Sequence, residues 1–87
     1  MADVHLPATL VPLFPGLPRR LDVDAPTVAG AIERLDEGWP GLRDRLCQPG
    51  PVLRPHINVY VDRERAALET PLDARSRIDV IAAISGG

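Results

Sequence analysis

The residues with the clearest chemical potential stand together in Ile84-Ser85-Gly86-Gly87, directly after the apolar run Ile78-Asp79-Val80-Ile81-Ala82-Ala83. Glycine has no Cβ, so a Gly-Gly segment is narrow and can enter a channel that rejects side chains. Glycine also loses more conformational freedom on ordering than any other residue, so such a segment contributes little to the stability of a fold. The reading is therefore that the Gly87 carboxylate is the reactive group, with Gly86 part of the same site. The remaining residues form a handle that presents it.

No other set of residues competes for this role. All ten basic residues are arginine and there is no lysine. Arginine keeps its charge and forms no Schiff base, so lysine-based nucleophilic catalysis is excluded. Growth of conjugate chains through the protein's own lysines is excluded for the same reason. Cys47 is the single cysteine, follows a leucine, and reads as a small packed hydrophobe rather than a partner thiol. His5 and His56 have no evident second metal ligand or catalytic partner and read as surface residues of strands. Asp22, Asp24, Glu33, Asp36 and Glu37 show no spacing suited to acid–base work and read as solvated. Arg19, Arg20, Arg43, Arg45, Arg54, Arg75 and Arg77 are scattered as a soluble face is, although together they could meet an acidic partner.

Composition bounds the elements that must position the tail. A chain of 87 residues, 45% hydrophobic and 25% charged, is one small globular domain with a modest core. With one Phe, one Tyr and one Trp, that core is built from Val, Leu and Ile. A net charge of −2 argues against a nucleic-acid binder, which would carry a basic face. A lone cysteine forms no internal disulfide, which suits a reducing compartment. The uncharged stretch from Val4 to Pro18 is too short to span a bilayer and is broken by Pro7, Pro12, Pro15 and Pro18. The expectation is a soluble cytoplasmic protein that engages no membrane.

Val4-His5-Leu6 alternates as a first strand, which Pro7 must end or leave open because it donates to no ladder. After a Pro-rich connection, Arg20-Leu21-Asp22-Val23 forms a second, antiparallel strand with Leu21 and Val23 inward. Thr27 is the N-cap of a helix whose stripe is Val28, Ile32, Leu35 and Trp39. Gly30 weakens that helix and permits close approach to the sheet, and Trp39-Pro40 stops it. Leu42 and Leu46 mark one further turn, and Gln48-Pro49-Gly50-Pro51 is a loop. His56 to Val61 is the cleanest strand, with Ile57, Val59 and Val61 on the core face. Asp62-Arg63-Glu64 turns the chain into a short edge strand over Arg65 to Leu68. Ile78 to Ile84 is the last strand.

One amphipathic helix with a mixed sheet of four to five strands is an α+β architecture, the β-grasp, in which the first and last strands pair in parallel at the centre. Residues 1–84 are expected to form it and 85–87 a flexible tail projecting from one end. This order, with its Gly-Gly end, resembles the ubiquitin-like sulfur carriers of the ThiS, MoaD and CysO type. The matching pieces are Pro7-Ala8-Thr9-Leu10, Thr27-Val28, Trp39-Pro40-Gly41-Leu42-Arg43-Asp44-Arg45-Leu46, His56-Ile57-Asn58-Val59-Tyr60-Val61 and Ser85-Gly86-Gly87. They cover nearly the whole chain and look closest to the CysO and MoaD branches. The chain departs from the pattern before the tail, where Ala82-Ala83-Ile84 replace the usual prolines, and in its turns at Asp62-Arg63-Glu64 and Asp73-Ala74-Arg75-Ser76-Arg77.

The resemblance implies a carrier and not an enzyme. An activating enzyme related to ubiquitin E1 would adenylate Gly87 with ATP. Sulfur would replace the adenylate as a thiocarboxylate, and a sulfur-accepting synthase would receive it. No cofactor is bound by the carrier itself. The outward strand positions Tyr60, Ile81 and Ala83, with Ile84 and Ser85, are the expected docking residues for the activating enzyme. The other readings are a MoaD-like small subunit of molybdopterin synthase, a ubiquitin-like protein modifier, and a β-grasp interaction module that makes no use of its tail.

Overall fold

Strict alternation of apolar and polar side chains sets the sheet. In the computed structural model, which describes residues 1–82, strand β1 (Ala2–His5) buries Ala2 and Val4, and the chain buries Leu6 just beyond it. Strand β2 (Arg20–Val23) runs antiparallel to it, with Val4 opposite Leu21 and Ala2 opposite Val23. The expectations placed on Ala83, Ile84, Ser85, Gly86 and Gly87 lie outside the described residues. The Pro-rich link between these strands holds a single 3-10 turn at Val11–Leu13 and drops Leu10 and Leu17 into the core.

Helix α1 (Val28–Gly38) starts where Thr27 Oγ1 accepts the Gly30 N–H at 3.1 Å. The first-turn donors left open by helix geometry are satisfied from a distant loop. Val28 N–H donates to the Thr70 carbonyl at 3.0 Å and Ala29 N–H to that of Leu68 at 2.8 Å. Val28, Ala31, Ile32 and Leu35 are buried, and Trp39 packs half-buried at the helix end. A Cβ on Gly30 would lie 3.3 Å from Pro26 Cδ and 3.4 Å from Ala25 Cβ. Gly30 therefore makes room for the helix's own capping turn rather than for the sheet, contrary to the sequence expectation.

Helix α2 (Leu42–Leu46) follows Gly41, whose φ of +98° is a left-handed conformation that favours glycine. The Gly41 and Arg43 N–H groups both donate to Asp36 Oδ1 at 3.0 Å. Asp36 is thus not a solvated position but the cap that fixes α2 against the end of α1. Leu42 and Leu46 are completely buried by this arrangement. The stretch read as a loop contains part of a small hairpin, in which β3 (Cys47–Gln48) pairs with β4 (Val52–Leu53) around Pro49-Gly50-Pro51. Two-residue strands carry no detectable alternation, which is why the sequence does not announce them.

Strand β5 (Ile57–Val61) buries Ile57 and Val59, and β6 (Glu64–Ala66) returns beside it, starting one residue and ending two residues before the expected Arg65 to Leu68. Asp62 and Arg63, with φ of 51° and 73°, make a tight left-handed hairpin turn. The turn is held by the start of the last strand, because Asp62 N–H donates to the Arg77 carbonyl and Arg77 N–H to Asp62 Oδ1, each at 2.9 Å. Strand β7 (Arg77–Ala82) closes the sheet in the order β2-β1-β7-β5-β6, parallel to β1 and antiparallel to β5. Five strands and one main helix are the mixed β-grasp anticipated, with the parallel pair at its centre. Val4, Ile78, Val80 and Val59 face Ile32 and Leu35 in one core.

Leu35 is 2% exposed at the middle of that core. Leu35→Ala is expected to lower stability by about 2–5 kcal/mol, read as a shift in the urea midpoint with little change in slope.

Candidate functional site

The last described strand leaves the sheet in an unusual setting. Pairing of β1 with β7 runs from Asp3 opposite Arg77 to His5 opposite Asp79 and stops there. Beyond His5 the chain turns away through Leu6 and Pro7, whose missing N–H ends the ladder. Strand β7 continues through Val80, Ile81 and Ala82, paired on one side with Val59, Asn58 and Ile57 and unpaired by β1 on the other. Along that free edge lies a shallow groove of about 390 Å³, walled by His5, Pro7, Thr9 and Arg19 opposite Ile81 and Ala82.

The sheet face away from α1 is charged. Asp3 accepts Arg20 Nε and Nη2, each at 3.0 Å, and lies 3.0 Å from His5 Nε2. Arg77 reaches Asp79 with Nε and Nη2 at 3.0–3.2 Å. Arg43 pairs with Glu33 at 2.8 Å, so three of the arginines considered as a basic docking surface already have an acidic neighbour. Tyr60 and Ile81 do point outward as read from the alternation. Tyr60 is half-buried opposite Asp79, while Ile81 stands opposite Asn58 and is 47% exposed. Among the described residues, Ile81 stands as an exposed apolar side chain at the border of a polar face.

His5 is a strand residue partnered by Asp3, a pairing that the spacing Asp3-Val4-His5 would have suggested once β1 was recognised. His56 is exposed just ahead of β5. Cys47 is buried and unpaired, and burial pushes its thiol up against the opposing field of Arg43, so it is a packed side chain as expected. Among the described residues no group of His, Cys, Asp and Glu is arranged to hold a metal ion, and no helix is long and apolar enough to cross a membrane.

The ThiS family model matches residues 4–87. The chain belongs to the ThiS family. No curated protein matches the sequence. Among solved structures, the SAMP1 protein of Haloferax volcanii is 31% identical over 99% of this chain and 98% of its own, with a TM-score of 0.78. A chain of the BexX/CysO complex of Amycolatopsis orientalis superposes with a TM-score of 0.87 at 24% identity, covering 100% of both chains. CysO of Mycobacterium tuberculosis gives 0.83 at 23% identity over 97% of this chain and 100% of its own. The fold is that of the ubiquitin-like β-grasp proteins. The family's members are small carrier and modifier proteins rather than catalysts.

Two outcomes follow from the local chemistry. Cys47 in the folded protein is expected to resist iodoacetamide at neutral pH and to react fully in denaturant, measured by intact mass. The bonds from Arg20, and then from His5, hold the Asp3 carboxyl below its ordinary value of 3.8. A lowered folded value means that the contribution of Asp3 is fully present above pH 3.8 and is lost as the pH falls through the lower folded value. Asp3→Asn is therefore expected to be less stable than the parent at neutral pH, with the gap closing in acid, followed by urea melts across the range.

Proposed function

We propose that this protein is a sulfur carrier whose Gly87 carboxylate is adenylated by an E1-like enzyme and converted to a thiocarboxylate. The observation that carries this reading is the exit of β7. The strand is fixed at the sheet centre by β1 and β5, yet Val80 to Ala82 have one free edge beside an open groove, five residues ahead of Gly87. A fully extended segment of that length reaches at most about 17 Å. That is enough to carry a carboxylate into an enzyme while the domain stays outside. Membership of the ThiS family supports the same chemistry.

A carboxylate is a poor acyl donor. Attack of its oxygen on the α-phosphorus of ATP expels pyrophosphate and gives an acyl-adenylate, whose carbonyl hydrosulfide from the sulfur donor then attacks, expelling AMP and losing a proton. The resulting thiocarboxylate sulfur is nucleophilic at neutral pH, as thiolates are. The carrier contributes clearance through Gly86 and Gly87 and docking through Ile81, Tyr60 and the segment Ala83, Ile84 and Ser85. ATP is bound by the activating enzyme, and a sulfur-accepting synthase takes the product. ATP supply and a single reduced thiol suit the cytoplasm.

The charged outer face supports a carrier that visits its partners over a permanent small subunit. Obligate interfaces are the more apolar class, and here the face is made by Asp3, His5, Arg20, Arg77 and Asp79. A second reading, protein modifier, is favoured by the 31% identity to SAMP1. It would show as high-mass conjugates on a cell blot that vanish when Gly87 is deleted.

The test is intact mass after incubation with a family activating enzyme, ATP and a sulfur donor. The expected result is a gain equal to replacing one oxygen by sulfur, absent from the Gly87-deleted protein. An unchanged mass, with no adenylate formed by several such enzymes, overturns the reading.

A further inference from the structure

The two edges of the sheet are not equivalent. At the β6 edge the register makes Val59–Ala66 and Val61–Glu64 the hydrogen-bonded pairs closing a two-residue turn, so within β6 only Arg65 turns its backbone outward. The next edge donor, Ala67 N–H, is taken by Thr70 Oγ1 at 2.9 Å. That edge offers a partner strand a single residue, Arg65.

The β2 edge is open. Leu6 N–H donates to the Arg19 carbonyl at 2.7 Å, which continues the β1–β2 register and makes Val4–Leu21 and Ala2–Val23 the hydrogen-bonded pairs. The N–H and C=O groups of Arg20 and Asp22 therefore point away from β1, and among the described residues nothing bonds them. Below this edge a groove of about 380 Å³ separates β2 from the end of α1, floored by Leu21, Leu35 and Trp39.

The charges on the edge define what fits. Asp22 stands directly opposite Asp3, an unfavourable like-charge pair. Arg20 reaches Asp3 through Nε and Nη2 while its Nη1 makes no hydrogen bond among the described residues, and among those residues Asp22 has no ion pair. The edge thus calls for a cation beside Asp22, delivered by an extended strand that also puts an apolar side chain over the groove. The sequence Arg20-Leu21-Asp22 supplies both to itself. Antiparallel about a two-fold axis through Leu21, the edge-facing Arg20 of one copy meets the edge-facing Asp22 of the other, twice, and Leu21 meets Leu21 above the two Trp39 grooves. Both pairs have their backbone groups correctly turned for a narrow, hydrogen-bonded pair. Shifting the register by two residues would instead set Asp22 against Asp22.

We propose that β2 is a self-association edge. Two copies of the chain join Arg20 to Asp22 across a two-fold axis to form one continuous ten-stranded sheet, with both β7 exits left free. So short a ribbon makes a weak, reversible dimer, and the two-fold closes it so that no further copies add.

The experiment is sedimentation velocity of the full chain from about 10 μM to about 1 mM, a range that brackets weak association. The average mass is expected to rise from the 9.4 kDa monomer toward twice that value. Asp22→Arg alone and Arg20→Asp alone should each stay monomeric, because each places like charges in both pairs. An equimolar mixture of the two should associate again, since every pair becomes complementary. As a register check that does not depend on the charge variants folding, Leu21→Cys should give a disulfide-linked dimer on mild oxidation, with Cα atoms about 4.5 Å apart in the wide pair. Asp22→Cys should not, and the buried Cys47 of the parent gives none. A parent that stays monomeric to the top of the range overturns the proposal. So does association that survives Asp22→Arg, or cross-linking that does not distinguish Leu21 from Asp22. None of these outcomes bears on thiocarboxylation of Gly87, which is read separately.

Discussion

The parallel pairing of β1 with β7 is the constraint on which the rest of the molecule depends. It joins Val4 to Ile78 across almost the full length of the sequence and places β7 at the centre of the sheet. Every other element then finds its place. β2 and β5 flank the pair, α1 covers the apolar face, and the loop after β6 crosses over to satisfy the first amides of α1 through Leu68 and Thr70. The Asp62 turn and the Ser76 turn both close on the start of β7. Asp3 N–H donates to the Ser76 carbonyl at 2.9 Å, and Ser76 is buried with its Oγ accepting the Asp73 N–H. Breaking this central pairing would leave the β2–β1 hairpin and the three-stranded β7-β5-β6 sheet without a common sheet.

The outer face of the same sheet follows a different rule. Apart from Asp22 at the β2 edge, most of its charges are matched within the molecule, Asp3 to Arg20 and His5, and Asp79 to Arg77. Pairs of this kind add little stability at an exposed surface. What they do is keep a broad sheet face wet and free of an apolar patch, so that a partner can bind it and let go. If the protein works as the proposed carrier, charged by one enzyme and discharged by another, it gains from such reversibility.

The strands, the main helix and their order were legible in the sequence because each carries its own periodicity. Val4 and Leu6, Ile57 and Val59, and Ile78 and Val80 alternate, while Val28, Ile32 and Leu35 repeat at helical spacing with Thr27 ahead of them. What was not legible depends on partners far away in sequence or on elements too short to have a period. Asp36 looks like any exposed helix acid until Gly41 and Arg43 turn back to it. The β3–β4 hairpin is two residues a side. Gly30 looks free to meet the sheet because nothing in the sequence tells that the Pro26 turn folds onto it. Of the candidate site, the outward placing of Tyr60 and Ile81 followed from alternation, but the charged company they keep required the register between strands. That Pro7 ends its strand was readable; that its doing so bares one edge of β7 was not, since it depends on which strand lies alongside.

The position of β7 also has a mechanical consequence. Any pull applied to the chain beyond Ala82 acts along a strand paired with β1 from Arg77 to Asp79 and with β5 from Ile78 to Ala82. In this geometry the ladders are loaded in shear, so their hydrogen bonds share the force and must fail together. A strand at the rim, pulled sideways, would unzip one bond at a time. Under the proposed function, a segment drawn into an enzyme and later withdrawn would tug on the domain along the direction in which its anchoring strand resists best.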